Sequence, residues 1–417
     1  MKSREMDADA EVEYERVKNL LNRISWPLDI GGIWPKNTSL SAHLRSTIFM
    51  TYYALHISIQ FLDFLNVIGS LELVIANLVE STFQPMVLIR LFTIRRSKLT
   101  LRIIEALEED MAIENFKDRE EIRILSQYAS MAEKFYRIAG KMAALAAVVY
   151  YVTPVQTYLV KRLMNRNAVL INPYRIYHFV DISSLKRTAI VYVCQCPMMY
   201  AATTLIITYA VIFSFVMIFC GQLAVLSHRI LNMKKDNTDP RVFFRRHARQ
   251  HIKISVMMQW LNEAFRVALL YDRFATTVLI GLICYKLLLD IHDVNVFGIF
   301  QLVNYVVYMT LLVYLNCFMG ECLNTECTAL LNAYYDCEWY DMTDFQKKAL
   351  IICMRTSQEP IRLTAGKYYV FSLDGFAQVR IPMSPSTSPP KQPHGKIVKN
   401  SEKKNLASIQ SIFPCGH

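Results

Sequence analysis

Apolar residues gather in long stretches, and charged residues in the intervals between them. The longest stretch, residues 188–228, contains no Lys, Arg, Asp or Glu. As a helix rising about 1.5 Å per residue it would reach roughly 60 Å, twice the ~30 Å of a bilayer's hydrocarbon layer. Its only turn-like residues, Pro197 and Gly221, lie near its two ends. It therefore predicts one membrane span that continues beyond the bilayer as a protein-packed helix, not two spans joined by a turn. Spans are predicted at about 46–62, 71–89, 142–160, 190–220, 274–289 and 294–320. Pro154 is expected to kink the third.

The polar intervals complete the outline. Residues 1–45 form an arm with a turn at Gly31-Gly32 before Trp34-Pro35. Residues 90–141 are charged, and Asp118-Arg119-Glu120-Glu121 reads as a solvated helix face. Arg241, Arg245, Arg246, Arg249 and Lys253 crowd one interval, and an amphipathic pattern follows from Ile252 to Phe265. That cluster could bind anionic headgroups at the inner leaflet. Residues 321–379 are amphipathic, and residues 380–417 are a Pro/Ser-rich tail with a disordered composition. The fold class is all-α: a polytopic membrane bundle of six spans with long cytosolic helix extensions.

Composition agrees. Of 417 residues 53% are hydrophobic and 19% charged, with 23 Tyr and 22 Phe. The net charge of +11 does not imply nucleic acid, because basic residues are expected on the cytosolic loops of membrane proteins. The positive-inside rule puts the arm and the loops after even-numbered spans in the cytosol. They carry 33 of the 46 Lys and Arg, and the other loops carry seven. Asn37-Thr38-Ser39, a formal glycosylation sequon, is then inside and unused. A G-protein-coupled receptor needs the opposite orientation. The acidic N-terminus has no apolar core before Trp26, so no signal peptide is expected. The ten Cys show no zinc-type spacing and read as buried or reduced thiols; no cofactor or metal is implied. Glu80 within the second span must face protein or water.

One region carries a resemblance. Gly320-Glu321-Cys322-Leu323 leads to Glu338-Trp339-Tyr340 and Met354-Arg355. Ile361-Arg362-Leu363-Thr364-Ala365-Gly366-Lys367, Ser372-Leu373 and Phe376 follow. In this order and spacing they resemble the C-terminal signature of insect odorant receptors. Trp34-Pro35, the helix around 251–265 and the inverted topology agree, and the resemblance covers roughly residues 25–379.

The resemblance implies an odorant-binding subunit, in the plasma membrane of olfactory neurons, with a cytosolic N-terminus. It would join a co-receptor subunit in a hetero-tetrameric cation channel opened by small volatile apolar ligands. It implies a subunit anchor that includes Glu338, Trp339, Tyr340, Thr364, Ala365, Gly366, Lys367, Ser372, Leu373 and Phe376. It also implies a pocket in the outer half of the bundle. By position alone the candidates are Phe83, Tyr150, Tyr151, Met198, Met199, Tyr305 and Tyr308. Such a pocket would hold a volatile molecule by burying it. After Val379 the family continues into a seventh, pore-lining span, whereas Arg380-Ile381-Pro382 opens the tail here. The break is expected of a truncated or misjoined product, such as translation through an unspliced intron, and such a form would lack the pore helix on which the subunit's own conduction depends. A gustatory receptor of the same topology is the alternative; its helix 7 motif would lie in the missing segment. A transporter or membrane enzyme finds little support, since His56, His178 and His228 are scattered and no repeat of spans is visible.

Overall fold

Two short helices, α1 (Ala8–Lys18) and α2 (Leu20–Ile30), lead into the predicted glycine turn. Gly32 has φ +66°, and a Cβ there would lie 2.2 Å from the Ala42 carbonyl oxygen, so only glycine fits. The hydroxyl of Ser39 accepts from the Ala42 amide at 3.2 Å and caps α3 (Leu40–Val67). The expected second span is divided into α4 (Leu71–Ser81) and α5 (Phe83–Arg96). Pro85 accounts for the break: it has no N–H for the Ser81 carbonyl, and its ring crowds that group. Helix α6 (Lys98–Asp110) follows. Then α7 (Arg119–Leu163) runs 45 residues, through Pro154 without interruption. The long uncharged run becomes α8 (Leu185–Cys194) and α9 (Pro197–Leu231), with Pro197 at the first position of the second helix. Three elements carry the chain onward: α10 (Pro240–Leu289), α11 (Val296–Asp336) and α12 (Asp344–Ser357). A hairpin of β1 (Thr364–Ala365) and β2 (Tyr369–Val370) precedes α13 (Leu373–Val379).

The computed structural model describes residues 8–164, 169–174, 176–177, 184–233, 240–289, 296–337, 339–358, 361–366 and 368–379, without some side chains inside them, that of Glu80 included. The tail from Arg380, Glu338 and Lys367 lie outside the described residues. Among the described residues five helices are long and apolar enough to cross a membrane: Leu40–Val67, Arg119–Leu163, Leu185–Leu231, Arg241–Leu288 and Leu302–Asp336. The divided second span falls outside this set because neither half is long enough. The molecule is an all-α membrane bundle with one small hairpin added.

Helix α9 is the axis of the bundle. Phe215, Val216, Met217, Ile218, Phe219 and Cys220 are all fully buried, on every face of the helix. A helix apolar all round belongs in a core. Its polar residues bond to the helix itself: Thr208 donates to the Leu205 carbonyl at 2.7 Å and Ser214 to that of Ala210 at 2.7 Å. Gly221 is a packing residue, not a turn. A Cβ there would meet Leu125 Cδ1 of α7 at 2.6 Å, so glycine lets the two helices approach closely. Tyr128 of α7 donates to Glu326 of α11 at 2.6 Å. Lys253 of α10 bonds Asp110 of α6 at 2.5 Å. One end of α7, α9, α10 and α11 thus gathers into a protein-packed body. At the other end of α7, Met142, Leu145, Val149 and Leu159 project outward, exposed.

The signature region earns its sequence from packing. Asn262 of α10 donates to the Arg362 carbonyl at 2.7 Å and accepts from the Thr364 amide at 3.0 Å, which clamps the hairpin to the helix. Thr364 pairs with Val370 and Ala365 with Tyr369. Gly366 (φ +61°) makes the turn, with Leu270 packed against it. A Cβ on Gly320 would lie 2.1 Å from the Phe371 carbonyl oxygen, and Glu321 accepts from the Leu373 amide at 3.2 Å. The amphipathic pattern of 321–379 concealed this hairpin, since strands of two residues carry no periodicity.

Candidate functional site

The seven candidate pocket residues fall into two groups at the end of the bundle away from the packed body. In the first, Phe83 of α5 meets Tyr305 and Tyr308 of α11 edge-on, with ring centroids 5.2 and 5.6 Å apart. The Tyr305 hydroxyl donates to the Val79 carbonyl of α4. That carbonyl belongs to the last turn before the Pro85 break, so Tyr305 ties α11 to the divided helix pair. In the second group, Tyr151 of α7 packs on Tyr192 of α8 with centroids 4.7 Å apart. Their hydroxyls cross: Tyr151 donates to the Tyr192 carbonyl at 2.7 Å, and Tyr192 donates to that of Tyr151. Tyr150 lies against Tyr174, centroids 5.5 Å apart. Met198 is buried and Met199 half-buried in the first turn of α9.

Sequence reasoning passed over three features here. Gln195, in the α8–α9 break, accepts from the Tyr174 amide at 3.3 Å and donates to the Tyr174 carbonyl at 2.9 Å. It pins Tyr174 beside His56 of α3, the two ring centroids lying 6.1 Å apart. His56 and Gln60, one turn apart, are buried, and neither side chain has a hydrogen-bond partner among the described residues. The third feature is the ion pair of Arg90 (α5) with Asp272 (α10), both buried. The guanidinium stacks 3.7 Å from the Tyr209 ring centre, and the Tyr209 hydroxyl donates to Asp272 at 3.1 Å. Neither Arg90 nor Asp272 stands out within its own segment of the sequence. An ion pair 182 residues apart leaves no local signal. Removing one member of such a pair exposes the other to an uncompensated burial cost.

The packed body holds a second buried pair. The sequence cast Glu121 on a solvated face, but it is 1% exposed. Arg229 of α9 grips it with two bonds of 2.7 and 2.6 Å. Burial raises the Glu121 pKa, but the guanidinium outweighs burial and holds the carboxyl below its ordinary value. Nearby, Arg241 faces the Phe345 ring at 5.1 Å.

The signature residues divide by exposure. Ala365 is buried and Gly366 is fixed by its turn. Ser372 accepts from the Gly375 amide at 3.1 Å, Leu373 packs on the core, and Phe376 meets Tyr314 with centroids 5.8 Å apart. By contrast Trp339 and Tyr340 are 47% and 62% exposed, next to exposed Tyr335. Buried signature residues hold the fold, whereas Trp339 and Tyr340 lie at the surface.

The comparisons with known proteins agree with this architecture. A family described as "7tm Odorant receptor" matches residues 70–380. Odorant receptor coreceptor of Aedes aegypti is 28% identical over 130 residues, 31% of this chain and 27% of that protein. Odorant receptor 2a of Drosophila melanogaster is 35% identical over 71 residues, 17% of this chain and 18% of that protein. The chain thus spans about a quarter of the length of the coreceptors it matches. The insect olfactory receptor OR5 from Machilis hrabei in complex with eugenol has the same fold. Its TM-score is 0.75 at 13% identity, over 95% of this chain and 100% of that one. The family match runs from the start of α4 to the end of α13, and the chain belongs to the 7tm odorant receptor family, a family of receptors rather than enzymes.

Proposed function

We propose that the chain is an odorant-binding subunit of a heteromeric, ligand-gated cation channel. It lies in the plasma membrane of olfactory neurons with its N-terminus in the cytosol. Its ligand is a small, volatile, largely apolar molecule. The observation that carries the reading is the placement of Phe83, Tyr305 and Tyr308 beside a buried ion pair that joins three helices. Tyr308 and Arg90 both neighbour Tyr209, so a ligand that displaces Tyr308 would reach the α5–α9–α10 junction through one further side chain. Binding would then favour whichever arrangement of that junction accommodates the ligand better. The exposed Trp339 and Tyr340 supply a surface for a coreceptor subunit, aromatic residues being enriched at such contacts. The names of the relatives, coreceptors and a receptor, fit a heteromer.

The test is co-expression with a coreceptor and recording of odorant-evoked current. Phe83→Ala is expected to change the ranking of odorants while surface expression persists. Unchanged ranking in Phe83→Ala and in Tyr151→Ala would remove both groups from the pocket. An amino-terminal tag is expected to be labelled only after permeabilisation, and labelling of intact cells would overturn the orientation.

A further inference from the structure

The packed body bears a half-open cavity of about 210 Å³ between α6, α7, α9 and α10, with Arg246 and Arg249 exposed at its rim. Its walls include Arg229, Arg246, Arg249 and Lys253, together with Asp110 and Gln222. The first and last cations are already committed. Arg229 is bound by Glu121 at 2.6 Å, and Lys253 by Asp110 at 2.5 Å and Glu109 at 2.9 Å. Arg246 and Arg249 differ: neither has an ion-pair or hydrogen-bond partner among the described residues. They are three apart on α10, hence on one face, where like charges repel. Gln222, 7% exposed, spends its amide N–H on Asp110 at 3.2 Å and leaves its carbonyl oxygen unpartnered and buried.

We infer that this cavity is a binding site for a phosphate group, either free or as the end of a phosphomonoester. Guanidinium forks match phosphate oxygens in pairs, and here two of them stand uncommitted at one cavity. The volume sets the class. It is several times the ~30 Å³ share of one water and below the roughly 300 Å³ at which pockets for drug-sized ligands begin. The unpartnered Gln222 oxygen accepts from a P–OH or from a hydroxyl adjoining the phosphate. A bound phosphate would join α9 to α10 and relieve the repulsion between Arg246 and Arg249.

The same chemistry is offered by a soluble phosphomonoester and by a lipid phosphate, and the test separates them. The purified full-length chain is melted in detergent with increasing glycerol phosphate, against sodium chloride of equal ionic strength. In parallel it is melted in nanodiscs with and without phosphatidic acid. A saturable stabilisation by glycerol phosphate assigns a soluble source, and stabilisation by phosphatidic acid alone assigns a lipid. In either arm the Arg246→Gln/Arg249→Gln double variant is expected to need roughly tenfold more ligand for half-effect. Lys141→Gln, an exposed cation elsewhere on α7, is expected to match the wild type. If the double variant responds like the wild type, or neither phosphate exceeds the chloride control, the site does not exist. The melting temperature of each variant without ligand shows whether it folds, and Arg246→Lys/Arg249→Lys should restore part of the response.

Discussion

Helix α9 and the outer half of α7 are built from the same kinds of residue and meet opposite surroundings. The most apolar 18-residue window of the α8–α9 run is 100% buried within the protein, and that of α7 is 6% buried. The more apolar helix is therefore the one with less access to lipid. Apolar character marks residues withdrawn from water and is silent on whether lipid or protein replaces it. Partners separate the two cases. Around α9 a glycine admits α7, hydroxyls turn back on their own helix, and Arg229 finds Glu121. The outer half of α7 instead leaves Met142, Leu145 and Val149 exposed.

The severest challenge to this contrast is at the junction between the two regions. Arg90→Met leaves Asp272 buried without its partner and is expected to cost about 3–5 kcal/mol, seen as lost surface expression and a lower melting temperature. Arg90→Met/Asp272→Leu removes both charges and should recover most of that loss. If the double variant is as damaged as the single one, the pair is not an isolated electrostatic unit. Next in size is a paired truncation. Leu223→Ala, in the sheathed part of α9, is expected to cost about 3 kcal/mol through its cavity. Val149→Ala, 55% exposed on α7, is expected to cost less than about 0.5 kcal/mol. Equal costs in thermal melts would erase the distinction between the helices.

Acid should weaken the packed body selectively. Burial pushes His247 and His251 of α10 down to about 4 from an ordinary 6.5; for His247 a bond to the Phe243 carbonyl opposes the shift without reversing it. The unfolded chain then binds protons that the folded chain refuses. Stability is therefore complete above about pH 6.5 and is lost as the pH falls towards 4. About 1–2 kcal/mol per histidine is at stake between pH 7 and 5. His251→Leu should flatten the dependence of melting temperature on pH, and a slope equal to the wild type would place the acid sensitivity elsewhere.

Long-range order in the chain was legible wherever it rested on the length of apolar runs. The run 188–228 reads as one long helix that continues past a bilayer into protein; the structure divides it into α8 and α9 at Pro197, and α9 is the buried part. The glycine turn was legible because only one residue type tolerates its geometry. What could not be read were pairings that depend on two distant positions: Arg90 with Asp272, Glu121 with Arg229, Gln195 with the Tyr174 backbone. Each member is ordinary in its own segment. The aromatic groups of the candidate pocket were half legible. Their positions followed from span boundaries, but their division into a Phe83–Tyr305–Tyr308 set and a Tyr150–Tyr151 set depends on helix rotation, which an all-apolar segment does not encode.

The smallest predicted effect bears on that division. Tyr305→Phe keeps the ring against Phe83 and deletes only the hydroxyl that reaches the Val79 carbonyl. A single hydrogen bond contributes about 0.5–1.5 kcal/mol, so the overall fold should persist. If α11 positions the α4–α5 break through this bond, half-maximal odorant concentration should shift up to about tenfold, with maximal current and surface expression preserved. Tyr151→Phe serves as its counterpart, because it loses the bond to the Tyr192 carbonyl in the other aromatic group. A shift in the first variant and none in the second places the ligand between α5 and α11. Equal shifts in both would mean that the two aromatic groups act as one site, and that the apparent separation of the bundle's outer half carries no functional weight.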